Sequence, residues 1–592
     1  MFNVSVAVPT QAVFVTEYIC YLRASPTCTL AHTHAEMDGR RPSKTSKKCG
    51  VGELVVWELS AGGCNSMACG RGTFTSNITA RLAAWEATTL APLNVPRGLL
   101  DALLDATILH LGERGTLEPL VRRLRACEAV RIVTLGASIT FGHGLHGDSD
   151  AWPALLQAAL RSIWKAPAVI TNSAIAATSA PFAALCLDVL VPRGTDAVLI
   201  EYGHTSNSEE SMAPLIDAVR SRGWRPVGVD YQHLVRPSAW RHHLAASRAH
   251  NPHTPHTSSC AETSTRMNIT IAHSEQRATT CIPSPRLLRR RDRQAGAKRA
   301  FVTRGLPLLS SSPLLVWMYN ASATPAPTLV DLERLNTPDG MHASGVYHRF
   351  LAAMVVRALW RVTQQIDIVR KHEPPERSRG HELTTWLTND TEERGAPSGA
   401  GVCSIGAALE QLRPAQAARV TRGAARGTWL LLTEKNKTGL VATTPGSELR
   451  LRVELPWQPS SAASSAAPST RRHPTPSTRG APSPHVYLTY LRSYEHMGQA
   501  RLSCVGGCTC TPTVYDAHAN ASRVSLSETG PPVALHEKSG RIGNASACTL
   551  LLRVLASTRS GEHKFKLTAL TVAPVGVVSD AGRLNGLIAR GV

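Results

Sequence analysis

Two distant segments of this chain carry side chains that together could perform nucleophilic catalysis. Ser138 lies in Gly-Ala-Ser-Ile-Thr-Phe-Gly, directly after an apolar run that predicts a strand. About 200 residues later, Asp339 and His342 stand in an Asp-x-x-His step. A serine on the turn that leaves a strand can present its hydroxyl at the mouth of a sheet, and the Asp-x-x-His step can hold a carboxylate against an imidazole. The sequence therefore offers a nucleophile, a general base and a group that orients the base.

Each motif has a simpler structural explanation when it is taken alone. A Gly-x-Ser step after a strand is often only a turn or a helix cap, and Asp339 could cap a helix while His342 lies at the surface. The serine motif is also not the Gly-x-Ser-x-Gly elbow, because Thr140 stands where the second glycine should be. Their order, and the asparagine-bearing segment between them, nevertheless favour a catalytic interpretation.

The two segments resemble the first and last sequence blocks of the SGNH (GDSL-like) hydrolase family. The resemblance implies an oxyanion hole made by the backbone N–H groups of Ser138 and Ala177 and by a third donor, Thr205 or Asn207. Ala177 stands where the family usually has glycine, which is acceptable only if the backbone there does not need positive φ. Thr205 stands at the place of the family's asparagine, and Asn207 could serve only after a loop rearrangement. Loss of one side-chain donor typically costs about a hundred- to a thousandfold in rate.

Short apolar strands alternate with helices around these motifs, which predicts an α/β domain. The resemblance implies a doubly wound, flavodoxin-like parallel sheet, whose ligand crevice lies at the carboxyl ends of the strands. We expect Asp150 to cap the helix that follows the serine motif. Predicted strands are residues 131–135, 168–170, 197–200 and 226–230, and predicted helices are residues 97–111, 212–222 and 346–364.

Composition and periodicity divide the chain into several parts. Residues 1–95 give mixed signals, and residues 96–365 form the SGNH hydrolase-like domain, with a low-complexity insertion at 236–300. A charged linker, 366–400, precedes a region of alternating apolar residues at 401–575, which predicts a β-sandwich with a flexible loop at 456–485. A tail follows at 576–592. Predicted strands of the second domain are 429–432, 448–453, 486–491, 523–526, 549–555 and 563–572, with one helix at 405–412.

The second domain resembles the C-terminal region attached to SGNH-type domains in plant and green-algal proteins, through residues 490–498, 504–510 and 563–566. A role in carbohydrate binding would use Tyr487, Tyr490 and Tyr494 for stacking. Aromatic residues on strands more often belong to a core, however.

The high positive charge and the clustered histidines could suggest nucleic-acid binding or metal binding, but the distribution of these residues along the sequence favours neither. The formal charge is +21, but the basic residues are scattered, and the dense run at 289–299 sits in the insertion, where charge runs are usually solvated. We expect no nucleic-acid partner, and a basic surface suits an acidic polysaccharide equally well. We also expect no metal site and no cofactor, because the clustered histidines lack a scaffold that fixes their geometry. These are His242, His243, His250, His253 and His256.

Cysteines and glycosylation motifs indicate the compartment. Cys504, Cys508 and Cys510 lack a Cys-x-x-Cys step, so disulfides are expected rather than zinc, with Cys403 and Cys548 available as partners. No apolar run is long enough for a transmembrane helix, and no conventional signal peptide is evident. We expect the secretory pathway or the cell surface. The Asn-x-Ser/Thr motifs begin at Asn77, Asn268, Asn320, Asn389, Asn436, Asn520 and Asn544.

The sequence therefore predicts a serine esterase of the SGNH type that cleaves O-acyl esters, either small or carried on carbohydrate, through an acyl-enzyme. If a sugar hydroxyl replaces water, the same residues would form a polysaccharide O-acyltransferase. The alternative from a different class is a non-catalytic cell-surface or wall-binding protein whose third block has decayed.

Overall fold

The computed structural model describes most of the two predicted domains. All described residues belong to one compact unit that begins at Ser66. Within these ranges, no helix combines the length and apolarity needed to cross a membrane. The five clustered histidines lie outside them, and so do all the glycosylation motifs except that of Asn77, whose side chain is exposed. The described residues are 74–113, 115–232, 270–271, 280–281, 294–318, 334–339, 342–372, 402–414, 428–434, 437–455, 483–519, 525–537 and 547–574.

The first of the two domains alternates strands and helices, as predicted. Its strands are β1 (Ile108–Leu111), β2 (Val130–Gly136), β3 (Ala168–Asn172), β4 (Ala197–Glu201), β5 (Arg225–Asp230), β6 (Thr270–Ile271), β7 (Thr280–Cys281) and β8 (Pro307–Ser310). Its helices are α1 (Phe74–Leu90), α2 (Arg97–Ala106), α3 (Glu118–Arg125), α4 (Ser138–Phe141), α5 (Trp152–Ile163), α6 (Ala180–Leu185), α7 (Leu187–Leu190), α8 (Glu209–Ser221), α9 (Ala295–Val302), α10 (Ser312–Met318) and α11 (Gly345–His372).

Six strands form a mixed sheet in the order β1-β8-β5-β4-β2-β3. The neighbouring strands β3, β2, β4, β5 and β8 run parallel to one another, and β1 adds an antiparallel edge next to β8. By chain order the parallel strands run 2-1-3-4-5, which is the flavodoxin-like order of doubly wound sheets. The order reverses at β2, which pairs with both β3 and β4. The loops after these three strands therefore meet at the switch point, where such sheets bind ligands.

Two apolar clusters cover the faces of this sheet. One joins α1, α2, α3, α5 and α11 to the sheet and includes the fully buried Trp152 and Phe350. Helix α1 comes from the region that sequence analysis left undefined, yet its Ile78 is fully buried in that cluster. The other cluster lies under α6, α8 and α9, where Phe301 is buried. Helix α9 thus shows that the end of the predicted insertion belongs to the packed domain.

Two local predictions in this domain are wrong. The helix predicted at 97–111 ends at Ala106, because the next residues form β1 and bond to β8. The β-branched pair Thr107 and Ile108 suits a strand better than a helix. Asp150 does not cap α5, whose N-cap is Ala151.

The second domain consists of antiparallel strands. They are β9 (Val402–Ile405), β10 (Leu430–Glu434), β11 (Lys437–Ala442), β12 (Glu448–Glu454), β13 (Pro484–Arg492), β14 (Gln499–Gly506), β15 (Cys508–Thr509), β16 (Thr513–Asp516), β17 (Leu526–Thr529), β18 (Val533–Ala534), β19 (His536–Glu537), β20 (Ala547–Val554) and β21 (Phe565–Pro574). A seven-stranded sheet is centred on β13 and β21, and a four-stranded sheet has the order β12-β20-β14-β16. Both sheets contribute to one apolar core, as the alternating burial of β12 illustrates.

The structure corrects further expectations for this domain. The predicted helix at 405–412 is the end of β9 followed by a 3₁₀ helix, Gly406–Leu412. Tyr487 and Tyr490 are buried, so they are not available for stacking on a carbohydrate, whereas Tyr494 is exposed.

Covalent and apolar contacts join the two domains. Tyr487 and Ala569 of the large antiparallel sheet belong to the same buried cluster as Phe182 of α6. A disulfide links Cys186, directly after α6, to Cys403 of β9. Sequence analysis offered Cys403 as a partner within its own domain, but there the disulfides are Cys504–Cys510 and Cys508–Cys548.

We predict that replacing both Cys186 and Cys403 with serine lowers the free energy of unfolding by about 2–4 kcal/mol, because the bond restrains a long stretch of unfolded chain. Urea unfolding under non-reducing conditions measures this loss. The matched control is the Cys504→Ser/Cys510→Ser variant, whose bond closes a separation of only 6 residues, against 217 for the inter-domain bond. A larger loss in the control would contradict the prediction.

Candidate active site

The Ser138 turn begins directly at the carboxyl end of β2. Ser138 is the first residue of the short helix α4, so its backbone N–H has no partner within the helix. Gly136 makes the sharp exit from β2 possible, because a methyl group there would overlap the Thr140 hydroxyl. The Ser138 side chain is partly buried. The serine therefore lies at the carboxyl end of the strand, and its role as the nucleophile stays a prediction.

Asp339 and His342 form a hydrogen-bonded pair on a tight turn before α11. The carboxylate Oδ2 of Asp339 lies 2.6 Å from His342 Nδ1, and its Oδ1 accepts from the His342 N–H at 3.1 Å. The Thr337 hydroxyl donates to Oδ1 at 2.6 Å, and the Thr337 N–H donates to the His342 carbonyl at 2.9 Å. The carboxylate is therefore held from both sides, and the Nδ1 proton of the imidazole has a fixed acceptor. His342 Nε2 is left as the nitrogen that can accept a proton.

The histidine turn lies against the serine turn through His143. The His143 N–H donates to the Ser138 carbonyl at 2.9 Å, and the His143 ring contacts the His342 ring at a tilt of 50°, with centroids 4.4 Å apart. A side chain at Gly144 would collide with Thr337, which shows how closely the two turns approach. Among the described residues, no hydrogen bond joins the Ser138 hydroxyl to His342. Catalytic hydrogen bonds are often long in ligand-free enzymes and shorten when substrate binds.

The second block of the family pattern, residues 170–179, is attached to the serine turn by backbone and side-chain hydrogen bonds. Asn172, at the end of β3, donates from Nδ2 to the Thr140 carbonyl at 2.9 Å, and the Ile175 N–H donates to the Gly136 carbonyl at 3.1 Å. The Thr178 N–H donates to the Ile175 carbonyl at 3.2 Å, which closes a four-residue turn.

Ala177 is the third residue of this turn and has φ 62°. Positive φ at that position is the mark of a type II turn, which favours glycine. From the sequence, alanine is acceptable here only if the backbone does not need positive φ. The backbone does have positive φ, so Ala177 carries the energetic cost of a left-handed conformation. Its N–H donates no hydrogen bond to any described residue.

The third block of the family pattern, residues 201–207, begins at the end of β4 and folds into a turn. The N–H groups of Thr205 and Ser206 both donate to the Tyr202 carbonyl, at 3.0 and 2.7 Å. The Thr205 hydroxyl is buried and has no hydrogen-bond partner among the described residues. Asn207 is tied in a different direction, since its carbonyl accepts from Ala297 of α9 at 3.2 Å. The Ser206 hydroxyl accepts from the Ala180 N–H at 2.8 Å and so joins this block to the second one.

A buried carboxyl lies beneath the serine turn. Glu201, the last residue of β4, accepts a hydrogen bond from the Thr140 hydroxyl at 3.0 Å. Burial, with a smaller contribution from the neighbouring Asp230 carboxyl, raises the pKa of Glu201 to about 8 against the opposing effect of the Thr140 hydrogen bond. Glu201 is therefore protonated and neutral at pH 7.

His348 on α11 supports the same region from behind. Its Nδ1 accepts from the Trp152 N–H at 3.0 Å and caps α5, the role that the sequence suggested for Asp150. Burial, together with the nearby His342, lowers the pKa of His348 to about 3. The ring is neutral at all physiological pH values, so it acts as a hydrogen-bond acceptor and not as a charge.

One side-chain cluster at the site has donor types that metals use. Atoms of His143, Asp339 and His342 lie within 4.8 Å of one another. Two ligands of a tetrahedral zinc ion are about 3.3 Å apart, given its usual bond lengths. The bonded Asp339 and His342 atoms are only 2.6 Å apart, which suits a hydrogen bond and not two metal bonds.

The structure thus brings Ser138, Asp339, His342, Ala177 and Thr205 to one edge of the sheet, while the Asn207 backbone is committed to α9. Sequence reasoning missed several positioning residues. A threonine two positions before the aspartate could have suggested a bond to Asp339, but no local pattern indicates the others. The missed residues are Asn172, Glu201, His143 and Thr337.

Comparisons with known proteins find structural matches only. No protein-family model and no curated protein sequence matches the chain. A two-domain esterase (CEX) active on acetylated mannans, co-crystallised with mannopentaose, aligns over 80% of this chain and 98% of its own, with 14% identity and a TM-score of 0.41. The lipase/acylhydrolase from Enterococcus faecalis covers 39% of this chain and 95% of its own, at 17% identity and a TM-score of 0.24.

The psychrotrophic esterase EstA from Pseudoalteromonas sp. covers 40% of this chain and 98% of its own, at 13% identity and a TM-score of 0.24. All three proteins are esterases or acylhydrolases. Identities this low say nothing about the activity of this chain, and TM-scores below 0.5 are low for a shared overall fold. The matches give no support to the plant and green-algal likeness of the C-terminal region.

We predict that Ala177→Gly raises the free energy of unfolding by up to about 1 kcal/mol, because glycine adopts φ 62° without the left-handed penalty. Chemical denaturation measures the change. The matched control is Ala176→Gly, at a neighbouring residue without positive φ, which should lose about 0.4–1 kcal/mol. Destabilisation by both substitutions would contradict the strain at Ala177.

We also predict a pH signature for Glu201. Because its folded-state pKa, about 8, lies above the usual value of 4.5, its contribution to stability is complete below pH 4.5 and is lost as the pH rises toward 8. The stability difference between the wild type and Glu201→Gln should therefore shift by about 1.4 kcal/mol per pH unit in that window. Urea unfolding at several pH values measures it, with the exposed Glu495→Gln as control. A pH-independent difference would show that Glu201 is ionised in the fold.

Proposed function

We propose that this protein is a serine esterase of the SGNH type that cleaves O-acyl esters through an acyl-enzyme. The observation that carries the proposal is the Asp339–His342 pair, whose imidazole contacts the ring of His143, five residues after Ser138. A nucleophile, a base and an orienting carboxylate are brought to one edge of the sheet from segments far apart in sequence. A purely structural turn has no need of that arrangement.

In the proposed first step, His342 Nε2 removes the hydroxyl proton as Ser138 Oγ attacks the ester carbonyl carbon. The tetrahedral intermediate collapses when the bond to the alcohol oxygen breaks and His342 returns the proton to that oxygen. Water then attacks the acyl-enzyme in the same way and releases the acid and free Ser138. Asp339 keeps the Nδ1 proton in place and stabilises the imidazolium.

The proposed oxyanion hole uses the backbone N–H groups of Ser138 and Ala177. Neither N–H has an acceptor among the described residues, because Ser138 is the first residue of α4 and Ala177 lies within its turn. We assign the third donor to Thr205, whose buried hydroxyl has no partner among the described residues. Asn207 is the weaker candidate, because its backbone is bonded to α9. Donors aimed at the developing negative charge lower the barrier to the tetrahedral intermediate.

The proposal also covers the domain organisation, the substrate class and the cellular location. We propose that the predicted SGNH-type doubly wound domain at 96–365 also includes α1 before it and the end of α11 after it. The rest of the predicted linker at 366–400 joins it to a β-sandwich at 401–575, related to the plant and green-algal proteins named above. The substrate class is a small ester or an acylated carbohydrate. Three disulfides among the described residues support a secretory or cell-surface location, because disulfides persist in oxidising compartments.

We predict that Ser138→Ala abolishes hydrolysis of p-nitrophenyl acetate, with kcat reduced at least about a thousandfold, because no other group can form the acyl-enzyme. Release of p-nitrophenol measures turnover. The control is Ser149→Ala, which removes an exposed hydroxyl from a nearby loop and should leave kcat unchanged. Equal activity in all three proteins would remove Ser138 from the mechanism. Inactivity of the wild type toward a panel of acyl esters would favour a non-catalytic protein.

A further inference from the structure

The segment from Ala177 to Cys186, which includes α6, is fastened to the C-terminal domain at both ends. At its start, the Ser527 N–H of β17 donates to the Ala177 carbonyl at 2.8 Å. At its far end, after α6, Cys186 is bonded to Cys403 of β9, and its Sγ lies 3.5 Å from the Thr571 hydroxyl. The Ser527–Ala177 hydrogen bond and the Cys186–Cys403 disulfide are together called the clamp. The clamp holds the segment that carries the proposed oxyanion donor against a domain more than 200 residues away in sequence.

The turn at Ala177 has a reason to need this support. Its type II form places an alanine at φ 62°, which costs about 1–2 kcal/mol relative to right-handed backbone. A type I turn relieves that cost by flipping the central peptide, and this flip reverses the N–H of Ala177. The Ser527 hydrogen bond is made to the Ala177 carbonyl, which belongs to the following peptide and not to the one that flips. The bond therefore fixes where the Ala177 turn lies against the C-terminal domain, and the Cys186–Cys403 disulfide holds α6 behind it.

Packing between the domains makes the clamp rigid. The side chains of α6 are all buried, and Phe182 shares a core with Tyr487 and Ala573 of the large antiparallel sheet. The Ala180 N–H donates to Ser206 at 2.8 Å, so the clamp also reaches the block that carries Thr205. Two of the three proposed oxyanion donors thus depend on the position of the C-terminal domain.

We propose that the C-terminal β-domain completes the oxyanion hole, with the backbone amide of Ser527 as the positioning group that fixes the turn at Ala177. The inference rests on the proposed esterase function and extends it. The domain is thereby a structural part of the reaction site, in addition to any role in binding. Ser527 does not touch substrate; it acts through Ala177.

The direct test compares Ser527→Pro with Ser527→Ala. Proline removes the N–H and is tolerated on an edge strand where that N–H points away from the sheet, whereas alanine keeps the N–H and removes only the hydroxyl. We expect Ser527→Pro to lower kcat for p-nitrophenyl acetate about ten- to a hundredfold with KM nearly unchanged, because a misplaced donor weakens only the transition state. Ser527→Ala should retain wild-type kcat.

Rates are expressed per active site, titrated with a fluorophosphonate, so that partial unfolding does not imitate a loss of catalysis. Wild-type kcat in Ser527→Pro, or an equal loss in Ser527→Ala, would overturn the inference. If Ser527→Pro does not fold, the double variant Cys186→Ala/Cys403→Ala tests the other end of the clamp and should lower kcat per active site several-fold. Its control, Cys504→Ala/Cys510→Ala, should leave kcat unchanged. Unchanged kcat in the first pair would also overturn it. An inactive, unlabelled wild type would instead reject the esterase function itself.

Discussion

The parallel pairing of β2 with both β3 and β4 is the constraint on which the site depends. These ladders place three successive loops at one sheet edge, although the loops are separated by whole helices in the chain. Ser138 leaves β2, the turn of Ala177 follows β3, and Thr205 follows β4. A shift in either ladder would separate them. Only the Asp339–His342 turn comes from elsewhere, and α11 brings it back against the same edge.

The polar groups beneath this edge are arranged without a net charge close to the serine. Glu201 is buried and protonated, with a pKa raised to about 8, and His348 is buried and neutral, with a pKa lowered to about 3. Both serve as hydrogen-bond acceptors, Glu201 for Thr140 and His348 for α5. A negative charge that develops at the reaction centre therefore meets backbone and hydroxyl donors, while Glu201 is neutral and the buried Asp230 is paired with Lys298 at 3.2 Å.

The local pattern of apolar residues was sufficient to predict many of the strands and helices. It failed for features that depend on contacts between distant parts of the chain. The apolar runs located four of the five parallel strands, β2 to β5, but not β8. The alternation of 448–453 located β12, because burial on one or two faces leaves a period in the sequence. The motifs also located Ser138 and His342. The strained Ala177, its anchor at Ser527 and the cap from His348 could not be predicted, because each results from contacts between segments more than 170 residues apart. The residue types alone do not encode them.

The central claim is that Ser138 is activated by His342 at this edge of the sheet. The most direct test is peptide mass spectrometry of the full-length protein after reaction with a fluorophosphonate, for the wild type and for His342→Ala. We predict a single adduct on the peptide that contains Ser138 in the wild type, and labelling slowed by several orders of magnitude in His342→Ala. No adduct, an adduct on another residue, or equal labelling of the two proteins would contradict the account.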